Sequence, residues 1–359
     1  MTITINNKNK KPNVPNLRFK EFQGEWEYFL INDVCSEFKS GKNIKADSVF
    51  ECGEYPVYGG NGLRGYTSSY NHEGSYVLIG RQGALCGNVR SVYGKTYITE
   101  HAIAVAGNEK SNTNFLHYLF LKMNLGQYSD QSAQPGLAVN KLLKLKVALP
   151  IISEQTKIAK FLSLLDERIA TQNKIIEKMQ TLIKGIAHKV SKQGKPNIRL
   201  SECLLCTSST LQESDVAEVG AYPVYGANGI VGYLDTYNTT SEAIYIIKDG
   251  SGVGAVSCVK GKCSATGTLN ILQTKEGFSL RYLYFILKVF SFEPYKTGMA
   301  IPHIYFKDYG KAKIYCPSNQ LQCKYADLLS KIEQKATAEQ KILDNLCSQK
   351  QYLLCQMFI

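Results

Sequence analysis

Two long stretches of the chain carry apolar residues at alternating spacings of four and three. The first runs Ile158, Leu162, Leu165, Ile169, then Ile176, Met179, Ile183, Ile186 and Val190, with Gln172 in its one polar slot. The second, 167 residues on, runs Tyr325, Leu329, Ile332, Ala336, Leu343, Leu346, Leu353 and Met357, with Glu339 and Lys350 as polar members. This is the seam of a coiled-coil strand. Each stretch follows a proline, Pro150 or Pro317, with Ser153 or Ser318 and Asn319 available to cap a first turn. The pattern therefore predicts helices over 151–192 and 318–359. At about 1.5 Å per residue, some 38 residues of each span roughly 57 Å. Seams of that length exceed what docking on one small module requires, which predicts that the two helices pair with each other. The chain must cross a second module between them, so the expected pairing is antiparallel, with Gln172 and Glu339 fixing register near its middle.

Before each helix the pattern changes to short alternating apolar runs between glycines. Tyr76–Ile79, Ile98–Val105, Ile244–Ile247 and Lys311–Tyr315 read as strands. One helix interrupts them in each module, over about 114–125 and about 279–290, with an aromatic and leucine stripe that docks a helix on a sheet. The fold class is α+β. The expected organisation is a polar tail over 1–16, a module over 17–150, a helix over 151–192, a second module over 193–317 and a second helix over 318–359.

The modules are copies of each other. Tyr55-Pro-Val-Tyr-Gly59 with Asn61-Gly62 returns as Tyr222-Pro-Val-Tyr-Gly226 with Asn228-Gly229, an offset of 167. The same offset carries Tyr70-Asn71 onto Tyr237-Asn238, Gly83 onto Gly250, Gly87 onto Gly254 and Thr99 onto Thr266. A drift of three residues is read where Tyr118-Leu119 matches Tyr282-Leu283, with register recovered by Pro150 and Pro317. The period is far too long for a solenoid or propeller and implies a pseudo-twofold molecule.

Composition narrows the chemistry. The chain has 359 residues, is 44% hydrophobic and 20% charged, and holds no apolar run long enough for a membrane helix. Eleven scattered cysteines fit reduced packing thiols, and Cys203-Leu-Leu-Cys206 lacks the second ligand pair that a zinc site needs. These features predict a cytoplasmic protein without metal or cofactor. A net charge of +12 points to an anionic partner, nucleic acid before membrane. Five histidines, at 72, 101, 117, 188 and 303, do not align under the offset. There is no N-P-P-Y methyltransferase motif, no Walker phosphate loop and no H-E-x-x-H zinc motif, so no catalytic residue is assigned.

Candidate binding residues sit on the glycine turns. Tyr58, Asn61 and Arg64 flank the first copy of the Y-P-V-Y-G turn, and Tyr225 and Asn228 flank the second. Such a turn has the freedom to approach a ligand closely, and it equally makes a structural hairpin corner. Arg81 and Gln82 are the types that read guanine and adenine in the major groove, and their counterparts are Lys248 and Asp249. His101 is a further candidate at a strand end. One scaffold with two specificities would vary in this way. A two-headed glycan or peptide binder and a standalone DNA-binding regulator are the alternatives, the first disfavoured by the net charge and the second by two unlike modules.

Val14-Pro-Asn-Leu-Arg-Phe-Lys20, Gly24-Glu-Trp26, the two Y-P-V-Y-G-x-N-G motifs and Pro150-Ile-Ile-Ser-Glu-Gln155 leading into a long helix resemble the specificity subunit of a type I restriction and modification system. In the second copy Gln322 remains but Leu321 stands where Glu154 does. The resemblance implies two target-recognition domains, each reading half of a split sequence in double-stranded DNA, with an antiparallel coiled coil between them. It also implies two methyltransferase subunits and restriction subunits as partners.

Overall fold

The computed structural model describes residues 13–130 and 135–359. The expected tail lies mostly outside the described residues, but Asn13 and Pro15 are already held, since the Trp26 amide donates to the Asn13 carbonyl at 2.7 Å and Pro15 is buried. The chain divides into two compact units, Met1–Thr171 with Leu343–Ile359, and Gln172–Ile342.

In the first unit, β1 (Glu27–Leu30), a short turn α1 (Ile31–Val34) and β2 (Cys35–Ser40) lead to the hairpin β3 (Tyr55–Gly59) and β4 (Gly62–Thr67). Then come β5 (His72–Gly80), β6 (Val89–Ile98) and β7 (Ala102–Gly107). Strands β2 to β7 form one sheet in the order β2-β7-β5-β6-β3-β4, with β3 and β6 parallel. The run expected as one strand from Ile98 to Val105 is instead a β6–β7 reversal, because the Ala102 amide closes a turn on the Thr99 carbonyl at 3.0 Å. Helix α2 (Thr113–Met123) starts where the Asn112 side chain accepts from the Asn114 and Phe115 amides, and ends at Asn124 in the left-handed region (φ 49). Its Phe115, Leu116, Leu119 and Phe120 pack on Val77, Ile79, Ile103 and Val105 of the sheet. Helix α3 (Val139–Leu143) and β8 (Lys146–Leu149), which pairs with β1, close the module.

Helix α4 (Ile152–Ser191) follows. In the second unit, β9 (Ile198–Arg199), α5 (Leu200–Cys203), β10 (Leu204–Ser208), the hairpin β11 (Tyr222–Gly226) and β12 (Gly229–Leu234), and β13 (Ala243–Ile247) repeat the first half. The counterpart of β6 is broken into β14 (Val256–Val259) and β15 (Ser264–Ala265), so the sheet separates into four strands, β10-β16-β13-β14, and three, β12-β11-β15, where β16 is Leu269–Thr274. Helix α6 (Leu280–Lys288), α7 (Phe306–Tyr309), β17 (Lys313–Ile314) and helix α8 (Asn319–Gln356) complete the chain. Of the expected strand Lys311–Tyr315, only β17 pairs, with β9.

The caps remove the drift read near Tyr118. Asn112 and Ser279 are the two N-caps and stand 167 residues apart, as do the starts of α3 and α7, of β8 and β17, and of α4 and α8. Matching tyrosine with tyrosine misaligned α2 and α6, because Phe115 rather than Tyr118 is the counterpart of Tyr282.

Several residues of the two seams share a core within each unit. In the first unit Ile158, Leu162 and Leu165 of α4 share a core with Leu346 and Leu353 of α8 and with Met357 just past its end, and Ile169 packs against it. Asp166 bonds Lys350 at 2.5 Å across the same pair of helices. In the second unit Ile183, Ala187 and Val190 meet Ala326 and Leu329, with Ile186 and Ile332 alongside. The start of each helix thus meets the end of the other, an antiparallel pairing. Ile176 and Leu343 are buried and Met179 is half-buried. Gln172 Nε2 donates to Glu339 Oε2 at 2.6 Å and to the Glu339 carbonyl at 3.0 Å, so the polar members bond each other. The helices also dock on their own modules, since each unit has one large core containing both its sheet-facing helix and the seam.

Candidate nucleic-acid interface

Three turns of the first module converge. The β3–β4 hairpin turns through Gly60 and Asn61, with Gly62 at φ +104, a conformation that disfavours any side chain. A Cβ on Gly60 would stand 2.7 Å from the His101 carbonyl oxygen, so that turn lies directly on the β6–β7 turn. The Arg81 amide donates to the same His101 carbonyl at 2.9 Å, and the Arg81 carbonyl accepts from Leu137 at 2.9 Å. Arg81 is therefore held on both backbone sides. Gln82 Oε1 is 3.2 Å from His101 Nδ1, and Glu100 Oε1 is 3.1 Å from His101 Nε2. Asn61, Arg64, Gln82 and His101 are exposed, and Arg81 is half-buried. Tyr58 differs from them: its ring packs on the Leu78, Val92 and Ile98 cluster, and its carbonyl accepts from the Thr99 amide at 2.9 Å. It supports the turns from below.

The second module repeats this backbone bond for bond. Lys248 N donates to the Thr268 carbonyl, Ile304 N to the Lys248 carbonyl, Gly250 N to the Pro302 carbonyl and Thr266 N to the Tyr225 carbonyl. Each is a first-module bond shifted by 167. Tyr225 again packs inward, 5.9 Å from the Tyr245 ring, and burial raises its phenol above the usual range. Asn228 is exposed on the turn. The side chains on this shared frame differ. Asp249 Oδ1 lies 2.7 Å from His303 Nδ1, whereas Gln82 is joined by His101, which comes from another turn.

Sequence reading missed His303 because its counterpart is Gly136, and a search for aligned histidines discards it. It also missed Arg90, whose guanidinium lies beside the first hairpin turn: a Cβ on Gly62 would stand 3.0 Å from Arg90 Cζ. The signal was available, since Arg90 aligns with Ser257 and varies as Arg81 and Lys248 do.

Among the described residues no group of three or more His, Cys, Asp or Glu is placed to hold a metal ion, and no helix is long and apolar enough to cross a membrane. Burial pushes the Cys35 and Cys203 thiols up to about 12, which makes them packing groups rather than nucleophiles.

A repeated frame carrying variable side chains, above long paired helices, has a match among known families. The model of the type I restriction modification DNA specificity domain matches residues 23–181 and again 203–347. The chain belongs to this family. Within it, the specificity subunit of the type I restriction enzyme EcoprrI of Escherichia coli is 42% identical over 154 residues, which span 42% of this chain and 38% of that relative. A putative type I specificity subunit of Mycoplasma genitalium is 24% identical over 91% of this chain and 92% of its own length. Among solved structures, the S subunit of a type I restriction-modification system from M. genitalium superposes with a TM-score of 0.73 at 20% identity, covering 96% of this chain and 99% of that one. That likeness is one of fold. The two matched segments each contain one copy of the turn frame described above.

Proposed function

We propose that this chain is the noncatalytic DNA-recognition subunit of a type I restriction-modification complex, and that residues 17–150 and 193–317 each read one half of a bipartite site in double-stranded DNA. The observation that carries the reading is the pair of backbone frames around Arg81 and Lys248, which share four matching hydrogen bonds and differ in side chains. A reader of two unlike half-sites needs that combination, because the frame fixes approach to a groove while the side chains choose the bases. Asn61, Arg64, Arg81, Gln82 and His101 contact one half-site, and Asn228, Lys248 and Asp249 the other, with Tyr58 and Tyr225 as supports. The net charge of +12 supplies the phosphate attraction common to all sequences. Helices over 151–192 and 318–359 set the spacing of the half-sites and dock two methyltransferase subunits, to which restriction subunits join.

The test is reconstitution. The purified chain alone is expected neither to methylate nor to cut DNA, and on addition of its cognate methyltransferase subunits to direct adenine methylation to one bipartite motif. Turnover by the chain alone, or methylation by the complex without a split motif, overturns the proposal.

A further inference from the structure

We propose that the first module reads guanine through three arginines gathered at one glycine turn, Arg64, Arg81 and Arg90, an assignment that rests on the DNA-reading function above and names the base it selects. Arginine is scarce in this chain, at seven residues against 35 lysines, and three of the seven surround the β3–β4 turn. At Gly59 a Cβ would stand 2.8 Å from Arg64 Cδ, and at Gly62 3.0 Å from Arg90 Cζ. Both side chains thus lie along the turn in space that any other residue would fill. A Cβ on Gly60 would be 3.6 Å from the Arg81 amide nitrogen, which brings the backbone of the third arginine against the same turn.

Among the described residues none of the three forms an ion pair, whereas Arg18 is paired with Glu154, and Arg281 with Glu242 and Glu333. The carboxylate on the adjoining turn, Glu100, pairs with His101 instead. A guanidinium without an ion-pair partner keeps its donors free for an electron-rich ligand. Phosphate and the guanine edge both qualify, and the second module separates them. Its residues at these positions are Val231, Lys248 and Ser257. A phosphate contact is common to every half-site and would keep its charge in both heads; Lys248 keeps that of Arg81, but Val231 and Ser257 do not keep those of Arg64 and Arg90. A base contact changes with the base. The planar fork of arginine, matched to guanine O6 and N7, explains why arginine stands here in a chain whose basic residues are mostly lysine.

The experiment uses the complex of the full chain with its methyltransferase subunits, on a duplex carrying the motif found by methylation sequencing. Exchange of residues 193–317 for those of another family member marks the half-site that stays unchanged as the first module's. 7-Deazaguanine, which loses N7 but keeps base pairing and charge, is then placed in each half in turn. In the first module's half it is expected to weaken binding about tenfold or more, and in the other half much less. Arg90→Lys keeps the charge and loses the fork. It should weaken binding to the natural duplex by a similar factor, abolish most of the 7-deazaguanine penalty, and leave both the salt slope and recognition of the second half unchanged. The proposal is overturned by a first half-site without guanine on either strand, by 7-deazaguanine without effect there, or by Arg90→Lys binding normally while Arg90→Ala lowers the salt slope by about one, the mark of a phosphate contact. Failure of the unmodified complex to recognise any split motif would instead remove the DNA-reading function itself.

Discussion

Burial holds the His117 imidazole at about 4, with the nearby Lys350 ammonium pushing the same way and Asp166 opposing, and its Nδ1 has no hydrogen-bond partner. In the unfolded chain a histidine titrates near 6.5. Between those values the unfolded chain takes up a proton that the folded chain refuses, so this residue's share of stability is intact above about 6.5 and falls as pH drops toward about 4, by up to about 3 kcal/mol. His117→Phe should flatten that part of a plot of urea midpoint against pH, and an unchanged slope would place the titration elsewhere. Arg18 offers a second case. Its Nε and Nη2 each donate at 2.7 Å to Glu154, whose side chain is fully buried, so Arg18→Ala leaves a buried carboxylate without its cation and should cost about 3 to 5 kcal/mol in urea unfolding. Adding Glu154→Leu should recover much of that loss, because Leu321 already occupies the matching position. Neither role was legible in the sequence. Arg18 and Glu154 lie 136 residues apart, and nothing in residue type alone tells a paired arginine from a free one.

Among the elements, α4 and α8 are the ones that periodicity described almost to their ends, because a seam of more than four heptads leaves little freedom of register. The sheets were less legible. A strand of four to six residues is read from alternation alone, and Ile98–Val105 hid a reversal because Thr99 is as buried as its apolar neighbours. Replacing Gln172 and Glu339 together by leucine removes the bond between them and should raise the thermal midpoint while loosening register, read as heterogeneous cross-links between cysteines introduced across the seam. One heptad inserted after Gln172 and another after Glu339 keeps the apolar phase and lengthens the helix pair by about 10 Å. At about 3.4 Å per base pair the methylated motif should then gain a gap about three base pairs longer. A folded variant with the original gap would show that the helices do not set it.

For the whole molecule, the duplication was the clearest statement in the sequence, and the caps at Asn112 and Ser279 show it to be more regular than residue identity suggested. What stayed hidden was the chemistry of the heads, because the frame is made of backbone bonds while the differences rest on single side chains such as Arg90 and His303. Exchanging residues 197–316 for the corresponding segment of another family member should alter one half of the methylated motif and leave the other. The cut falls on a natural clasp, since Asn197 Nδ2 donates to the Cys316 carbonyl at 2.7 Å and its Oδ1 accepts from the Cys316 amide at 2.8 Å. If both halves changed in the methylome, the heads would not be independent. The joint between head and helix explains why such an exchange should succeed. Gln155 accepts from the Asn112 amide and donates to the Pro150 carbonyl, and Gln322 accepts from the Ser279 amide and donates to the Pro317 carbonyl. On each side one carboxamide grips main-chain atoms only. At this contact the helix asks for a main-chain amide and not for a particular side chain, so an incoming head that supplies that amide and keeps the apolar core it shares with the seam meets an unchanged socket.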